Sequence, residues 1–172
     1  DKIPGIDETV MEGDVLRLLG EKVHVIETPG HTAGHVSYHL PKSGVAFTAD
    51  TLFALGCGRL FEGKPPTMLA SLKKLASLPA ETVVYCGHEY TLSNARFALS
   101  VDPTNSALVV RAKEIEALRA RDEPTLPTTI GAELATNPFL RWHDPAIRRN
   151  LGMEHASDEA VFAEIRKRKD VF

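Results

Sequence analysis

Three short segments of this sequence each set a metal-capable side chain just beyond a run of strand-forming residues. Residues 23–27 lead into Thr28-Pro29-Gly30-His31-Thr32-Ala33-Gly34-His35, residues 45–48 into Ala49-Asp50-Thr51, and residues 82–86 into Gly87-His88-Glu89-Tyr90. A residue at a strand end is held by the sheet yet faces open space, so donors far apart in sequence can converge there. Imidazole and carboxylate together suit zinc, iron or manganese, and a carboxylate between two histidine-bearing segments is placed to bridge two ions. His31 and His35 have the i, i+4 spacing of a helical zinc pair. However, Pro29, Gly30 and Gly34 disfavour a helix there, and no Glu follows His31. His35 then opens the next strand, in which His35, Ser37 and His39 alternate with Val36, Tyr38 and Leu40. The candidate donors are therefore His31, Asp50 and His88. His35 and His39 read as polar-face residues, His24 as solvent-facing between Val23 and Val25, and His143 and His155 receive no role. A lone His beside a Gly is most often a turn residue, so the reading rests on the three segments occurring together.

The elements that must position these side chains follow from periodicity. Residues 15–19, 23–27, 36–40, 45–48 and 82–86 read as strands. A helix is expected over 66–78, with Met68, Leu72 and Leu75 on one face, Lys73 and Lys74 off it, and Pro66 and Pro79 at its ends. A second follows Tyr90 through Leu92, Ala95 and Leu99. Beyond Pro103 the chain turns helical, with Leu108, Ala112, Ile115 and Leu118 as one stripe. A Pro-rich loop, Glu123-Pro124-Thr125-Leu126-Pro127, and a stretch with little periodicity through Asn137-Pro138-Phe139 come next. The last helix has Ser157 as N-cap, Asp158 and Glu159 in its first turn and basic residues from Arg166 to Lys169 in its last. Two parts are expected: an α/β part over 1–102 and a smaller helical part over 103–172.

Bulk properties narrow the function classes. The 172 residues are 43% hydrophobic and 25% charged, enough for an ordinary globular core. A net charge of −3 gives no basic surface for nucleic acid or an acidic membrane. No apolar run is long enough to span a membrane, and no signal-peptide pattern is present. Cys57 and Cys86 are too few for a disulfide framework and read as reduced thiols of a cytoplasmic protein. The opening Asp1-Lys2-Ile3-Pro4-Gly5 lacks an initiating Met, and the sequence is expected to begin partway through a longer protein.

Taken together, the segments resemble the metallo-β-lactamase superfamily and, within it, the glyoxalase II (hydroxyacylglutathione hydrolase) family. The residues that carry the resemblance start with Thr28-Pro29-Gly30-His31-Thr32 and Gly34-His35, then Phe47-Thr48-Ala49-Asp50-Thr51-Leu52-Phe53. They continue with Gly56-Cys57-Gly58-Arg59-Leu60-Phe61-Glu62-Gly63 and Tyr85-Cys86-Gly87-His88-Glu89-Tyr90-Thr91. Asn137-Pro138-Phe139-Leu140-Arg141 and Arg166-Lys167-Arg168-Lys169-Asp170 complete the set. The first two segments are general to the superfamily, whereas Cys-Gly-His-Glu-Tyr and the tail ending in Arg-x-x-Lys-Asp are more specific. The resemblance implies the second half of an αββα sandwich followed by a small C-terminal α-helical domain. It implies His31 on one metal, His88 on a second and Asp50 bridging them, the metals being two divalent ions, zinc or alternatively iron or manganese. A bridging hydroxide would attack the thioester carbonyl of S-D-lactoylglutathione, releasing glutathione and D-lactate in methylglyoxal detoxification. The thiolate leaving group needs little general-acid help.

By the same resemblance the glutathione moiety is held by Arg59, Phe61, Tyr90, Arg166 and Lys169. Arg59 stands where Lys is common and keeps its charge, whereas Phe61 stands where Tyr is common and loses a hydroxyl. The family's His-x-His-x-Asp-His motif is absent from the sequence, so these 172 residues alone are expected to hold partial or no metal and to be incomplete for catalysis. The expected partner is the glutathione thioester alone, with no nucleic acid, no membrane and a monomeric state. Two alternatives stand beside this: a persulfide dioxygenase-like iron enzyme, and a non-catalytic module that binds glutathione conjugates.

Overall fold

The computed structural model describes residues 4–172, so the first three residues of the opening segment lie outside the described residues. Alternation of apolar and polar side chains produces a six-stranded sheet in the order β1-β2-β3-β4-β7-β8. Its strands are β1 (Val15–Leu18), β2 (Glu21–Glu27), β3 (Val36–Leu40), β4 (Val45–Ala49), β7 (Val83–Cys86) and β8 (Thr128–Thr129). All neighbours are antiparallel except β4 and β7. A parallel pair needs a long crossover, and here it contains a small hairpin, β5 (Leu52–Phe53) with β6 (Gly56–Cys57), and helix α1 (Pro65–Ala76).

Register divides the side chains between two faces. Ile26 opposite Ser37, and His39 opposite Ala46 opposite Val84, share the face covered by helices. Val25, Tyr38, Phe47 and Tyr85 are successive partners across the other face, where the Phe47 and Tyr85 rings stack at 5.7 Å and stay 45% and 44% exposed. A groove of about 530 Å³ along that face is lined by Val15, Val23, Tyr38, Leu40 and Phe47 among others.

On the helical side, α1 presents Met68, Leu72 and Leu75 inward, and Lys73 and Lys74 occupy its last turn. It runs from Pro65 to Ala76 rather than over 66–78, because proline is readily accommodated in a first helical turn. Helix α2 (Thr91–Val101) packs on α3 (Ser106–Arg119), and α6 (Asp158–Val171) packs on α1. Two seven-residue helices follow: α4 (Ile130–Thr136) lies within the stretch that showed little periodicity, and α5 (Pro145–Leu151) lies just beyond it. Two turns cannot display a repeating stripe, and their cap residues are the clearer signal: Thr129 accepts from the Ala132 N–H and Asp144 from the Ala146 N–H. The expected Ser157 cap on α6 is present, accepting from the Ala160 N–H. Leu52, Met68, Leu72, Phe97, Phe139 and Phe162 belong to one apolar cluster, and β8 joins the sheet through β7.

One polar network lies inside this apolar interior. The Glu133 side chain is fully buried and its carboxylate accepts from the Leu55 N–H (2.8 Å), Asn137 Nδ2 (2.9 Å), Thr128 Oγ1 (2.7 Å) and Arg111 Nη2 (2.6 Å). Leu55 sits at the hairpin turn with φ of 58°, a left-handed conformation that costs about 1 kcal/mol for a side-chain-bearing residue. The carboxylate both satisfies that turn's N–H and balances Arg111. Replacing Glu133 with Ala should therefore destabilise the protein by about 3–5 kcal/mol in urea unfolding, because Arg111 and the turn would be left unpaired. A loss below about 1 kcal/mol would show that the network is dispensable.

Candidate active site

Strands β2, β4 and β7 end at the same edge of the sheet, β3 running the other way between β2 and β4, and the residues just after them meet. His31 Nε2 lies 3.7 Å from Asp50 Oδ2, and His88 Nε2 lies 3.2 Å from Asp50 Oδ1. His31 Nδ1 is 2.9 Å from the Arg59 carbonyl. A carbonyl only accepts, so Nδ1 carries the proton and, in the neutral ring, Nε2 faces Asp50 with a lone pair. Asp50 Oδ1 is buried and accepts no hydrogen bond. Lone pairs facing a carboxylate at this range repel unless a proton or cation lies between them. The three donors thus fit a divalent metal in kind. They do not form a closed set: among the described residues no group of three or more His, Cys, Asp or Glu side chains can hold an ion. Each side of Asp50 has one imidazole.

The backbone around Asp50 is tightly determined. Ala49 has φ of 39°, and the β4–β7 register slips between Phe47 and Ala49. This bulge re-aims Asp50 out of the strand. Two glycines let the chain approach: a Cβ on Gly58 would lie 1.9 Å from the Asp50 carbonyl oxygen, and one on Gly87 would lie 2.7 Å from Asp50 Oδ1. The Gly87 N–H donates to the Ala49 carbonyl at 2.9 Å and the Gly58 N–H to the Thr51 carbonyl at 3.1 Å.

From this point a cleft of about 610 Å³ runs toward α6. Phe61 is 69% exposed and its ring lies 4.9 Å from that of His31. Tyr90 stacks on His88 at 4.9 Å, and Phe53 meets Tyr90 edge-on at 5.5 Å. At the far end Arg166 is buried against the Phe139 ring. It donates to the Cys57 carbonyl at 3.0 Å and pairs with Asp170 at 2.9 Å, while Arg59 lies 3.7 Å from the same carboxylate. Lys169 has no carboxylate partner among the described residues. Its Nζ reaches Ser93 Oγ at 3.2 Å and sits 5.3 and 5.4 Å from the centres of the Phe97 and Phe172 rings. Burial lowers the Lys169 pKa from its ordinary value, and the Arg166 and Arg59 charges lower it further. An anion arriving here would relieve both effects.

Residues 1–88 match the metallo-beta-lactamase superfamily, and residues 89–172 match the hydroxyacylglutathione hydrolase C-terminus. The chain is 77% identical over 171 residues to a hydroxyacylglutathione hydrolase of Mesorhizobium japonicum, covering 99% of this chain and 67% of the relative. The chain belongs to the hydroxyacylglutathione hydrolase family. It spans about two thirds of the length of that relative. Among solved structures, ETHE1 from Myxococcus xanthus shares the fold, with a TM-score of 0.60 at 24% identity over 95% of this chain and 53% of that one. A di-iron-bound form of TTHA1623 is 32% identical, with a TM-score of 0.53 over 81% of this chain and 52% of that one.

For this member of the hydroxyacylglutathione hydrolase family, all eight residues named from the sequence line the one cleft. Arg166 differs in character from the expectation of an open carboxylate-binding residue, because its donors already serve Asp170 and Cys57. His35 also has more to do than a polar-face residue would. Its face is the inner one: Nε2 accepts from the Asp50 N–H at 3.2 Å, and Nδ1 lies 3.0 Å from both Thr28 Oγ1 and Thr51 Oγ1. Burial pushes its pKa below the ordinary value, opposed by Asp50 and reinforced by His31. Phe53, Ser93, Asn94 and Phe172 also line the cleft without having been singled out. Only the Gly56-Cys57-Gly58 spacing hinted that a tight hairpin brought Phe53 there.

Burial pushes the Cys57 thiol up to about 11 despite the neighbouring Arg166, and Cys86 is raised for the same reason. Since the folded thiol of Cys57 titrates above its unfolded counterpart, the stability it contributes is present below about pH 9 and lost as pH rises toward 11. At pH 8 a disulfide reagent should label no more than one thiol in the native protein and both after unfolding. Two reacting thiols in the native state would contradict the burial of Cys57.

Proposed function

We propose that this protein hydrolyses thioesters of glutathione, with S-D-lactoylglutathione as substrate and glutathione and D-lactate as products, in the disposal of methylglyoxal. The observation that carries the reading is the presence in one cleft of two unlike ends. One end gathers His31, Asp50 and His88, and the other gathers three cations, of which Arg59 and Arg166 share Asp170 and Lys169 has no carboxylate among the described residues. A glutathione thioester has the same polarity, with a reactive carbonyl at one end and the glycine carboxylate remote from it. Names of close relatives and the match over residues 89–172 support the same reading.

Each group in the cleft has a physical task. Lys169 takes the substrate carboxylate, with Arg59 at the rim and Arg166 holding Asp170 and the hairpin carbonyl in place beneath. Tyr90, braced edge-on by Phe53, forms an aromatic wall along which the peptide backbone lies, and Phe61 limits water near His31. The His31 ring is oriented by the Arg59 carbonyl, and the backbone that carries Asp50 is fixed by His35. In the full-length protein, with donors beyond these three, His31, Asp50 and His88 would contribute to holding two divalent metals, zinc being the natural choice for this donor set, which would supply Lewis acidity toward the thioester carbonyl and lower the pKa of water. The leaving thiolate, with a parent pKa of about 8.5, departs without a dedicated acid.

In the full-length protein, chelator-sensitive release of glutathione from S-D-lactoylglutathione is expected, and its absence in metal-replete enzyme would refute the reading. Asp50→Ala should abolish turnover and lower the bound metal measured by elemental analysis; activity within a few-fold of the parent would remove Asp50 from the centre. Lys169→Ala should raise KM by about tenfold or more while changing kcat little, since it binds a part of the substrate remote from the reaction. A loss confined to kcat would contradict that role.

A further inference from the structure

A second groove of about 510 Å³ opens off the cleft, sharing Tyr90, Ser93 and Phe172 with it and adding Glu89, Arg96 and Arg119. Its charges are not paired with one another. Arg96 is exposed and forms no ion pair or side-chain hydrogen bond among the described residues, and Glu89 has no cationic partner within bonding range. Glu89 is held in place from the other side, where the Thr125 hydroxyl and N–H donate to its carboxylate. Arg119 is likewise steadied, donating to the Glu123 carbonyl at 2.8 Å and lying 3.9 Å from the exposed Asp122 carboxylate, a distance beyond a hydrogen bond that leaves guanidinium donors over. The groove thus offers a fixed anion and two cations a short distance apart, beside the aromatic wall of the cleft.

That pattern is the complement of a zwitterion. A glutathione thioester has two charged ends. The glycine carboxylate is met at Lys169, whereas the γ-glutamyl end carries an α-carboxylate and an α-ammonium on one carbon. We propose that the groove of Glu89, Arg96 and Arg119 binds this γ-glutamyl α-amino-acid head, the ammonium facing Glu89 and the carboxylate facing the two arginines. The assignment rests on the glutathione reading above and adds to it a source of selectivity. It distinguishes the tripeptide from any thiol that presents only a C-terminal carboxylate, and Arg96 is the residue with no other task in the fold.

The test is calorimetric binding, at about 0.15 M ionic strength, of S-methylglutathione and of N-acetyl-S-methylcysteinylglycine, in which an uncharged acetyl group replaces the γ-glutamyl unit so that both ligands keep the same net charge. The native chain should bind the tripeptide more tightly. Arg96→Glu should weaken S-methylglutathione by about tenfold and N-acetyl-S-methylcysteinylglycine by less than about twofold, because at this salt concentration a reversed charge on the surface acts mainly on the group it faces. Equal weakening of both ligands, or no weakening of the tripeptide, would overturn the groove assignment and leave the glutathione reading standing. Binding of neither ligand by the native chain would overturn both. The substituted side chain is exposed and free of partners, so the variant retains the fold, and an unchanged melting temperature serves as the control.

Discussion

A single buried carboxylate joins the two halves of this molecule. Glu133 on α4 reaches back to the N–H of Leu55 in the hairpin, forward to Asn137 at the end of its own helix, and sideways to Arg111 on α3 and Thr128 on β8. Asn137 in turn donates to the Gly56 carbonyl and Asn94 to that of Ala54, so these polar groups of the hairpin turn are answered from α2 and from the end of α4. The consequence reaches the cleft directly. Phe53 and Cys57 flank that turn, one supporting Tyr90 and the other accepting from Arg166. A shift of the hairpin would move both the aromatic wall and the cation that anchors Asp170. Hydrophobic packing alone is non-directional and would not set this position; hydrogen bonds to a charged group in a low-dielectric interior do.

The donor end depends on a different device, close approach of backbone. Ala49 adopts a left-handed conformation, and Gly58 and Gly87 leave room for the turn on either side of Asp50. Thr48 and Thr51 supply hydroxyls that donate to the Leu52 and Thr28 carbonyls within that crowded space. His35 closes it by accepting from the Asp50 N–H, so a ring 15 residues earlier fixes the backbone from which the carboxylate projects. The strain at Ala49 persists because so many bonds converge on its neighbours.

Much of this was legible in the residues themselves. Period-two alternation located the strands, and the strand-end histidines and aspartate that looked unremarkable singly do converge. What escaped was whatever depended on neighbours distant in sequence. His35 shares the polar side of β3 with Ser37 and His39, and polarity normally marks the solvent face; here that face is covered by helices and the side chains are satisfied by one another. Helices α4 and α5 are too short for a periodic stripe, and β8 spans only two residues. Glu133 reads as an ordinary helical glutamate until Leu55, 78 residues earlier, is found at its side. The commitment of Arg166 to Asp170 was visible as an i, i+4 spacing, whereas its bond to the Cys57 carbonyl was not.

The sheet's other face has a bearing on how the molecule behaves in solution. Phe47 and Tyr85 lie stacked and nearly half open to water, beside a groove walled by Val15, Tyr38 and Leu40. A contiguous apolar strip of this kind is hydrated unfavourably, and its effect on solubility is governed by the solvent more than by the fold. Salts excluded from protein surfaces, such as sulfate, raise the cost of that hydration, whereas chaotropic solutes lower it. Precipitation of these 172 residues by sulfate should therefore respond to Phe47 and Tyr85 on the sheet as well as to the −3 net charge.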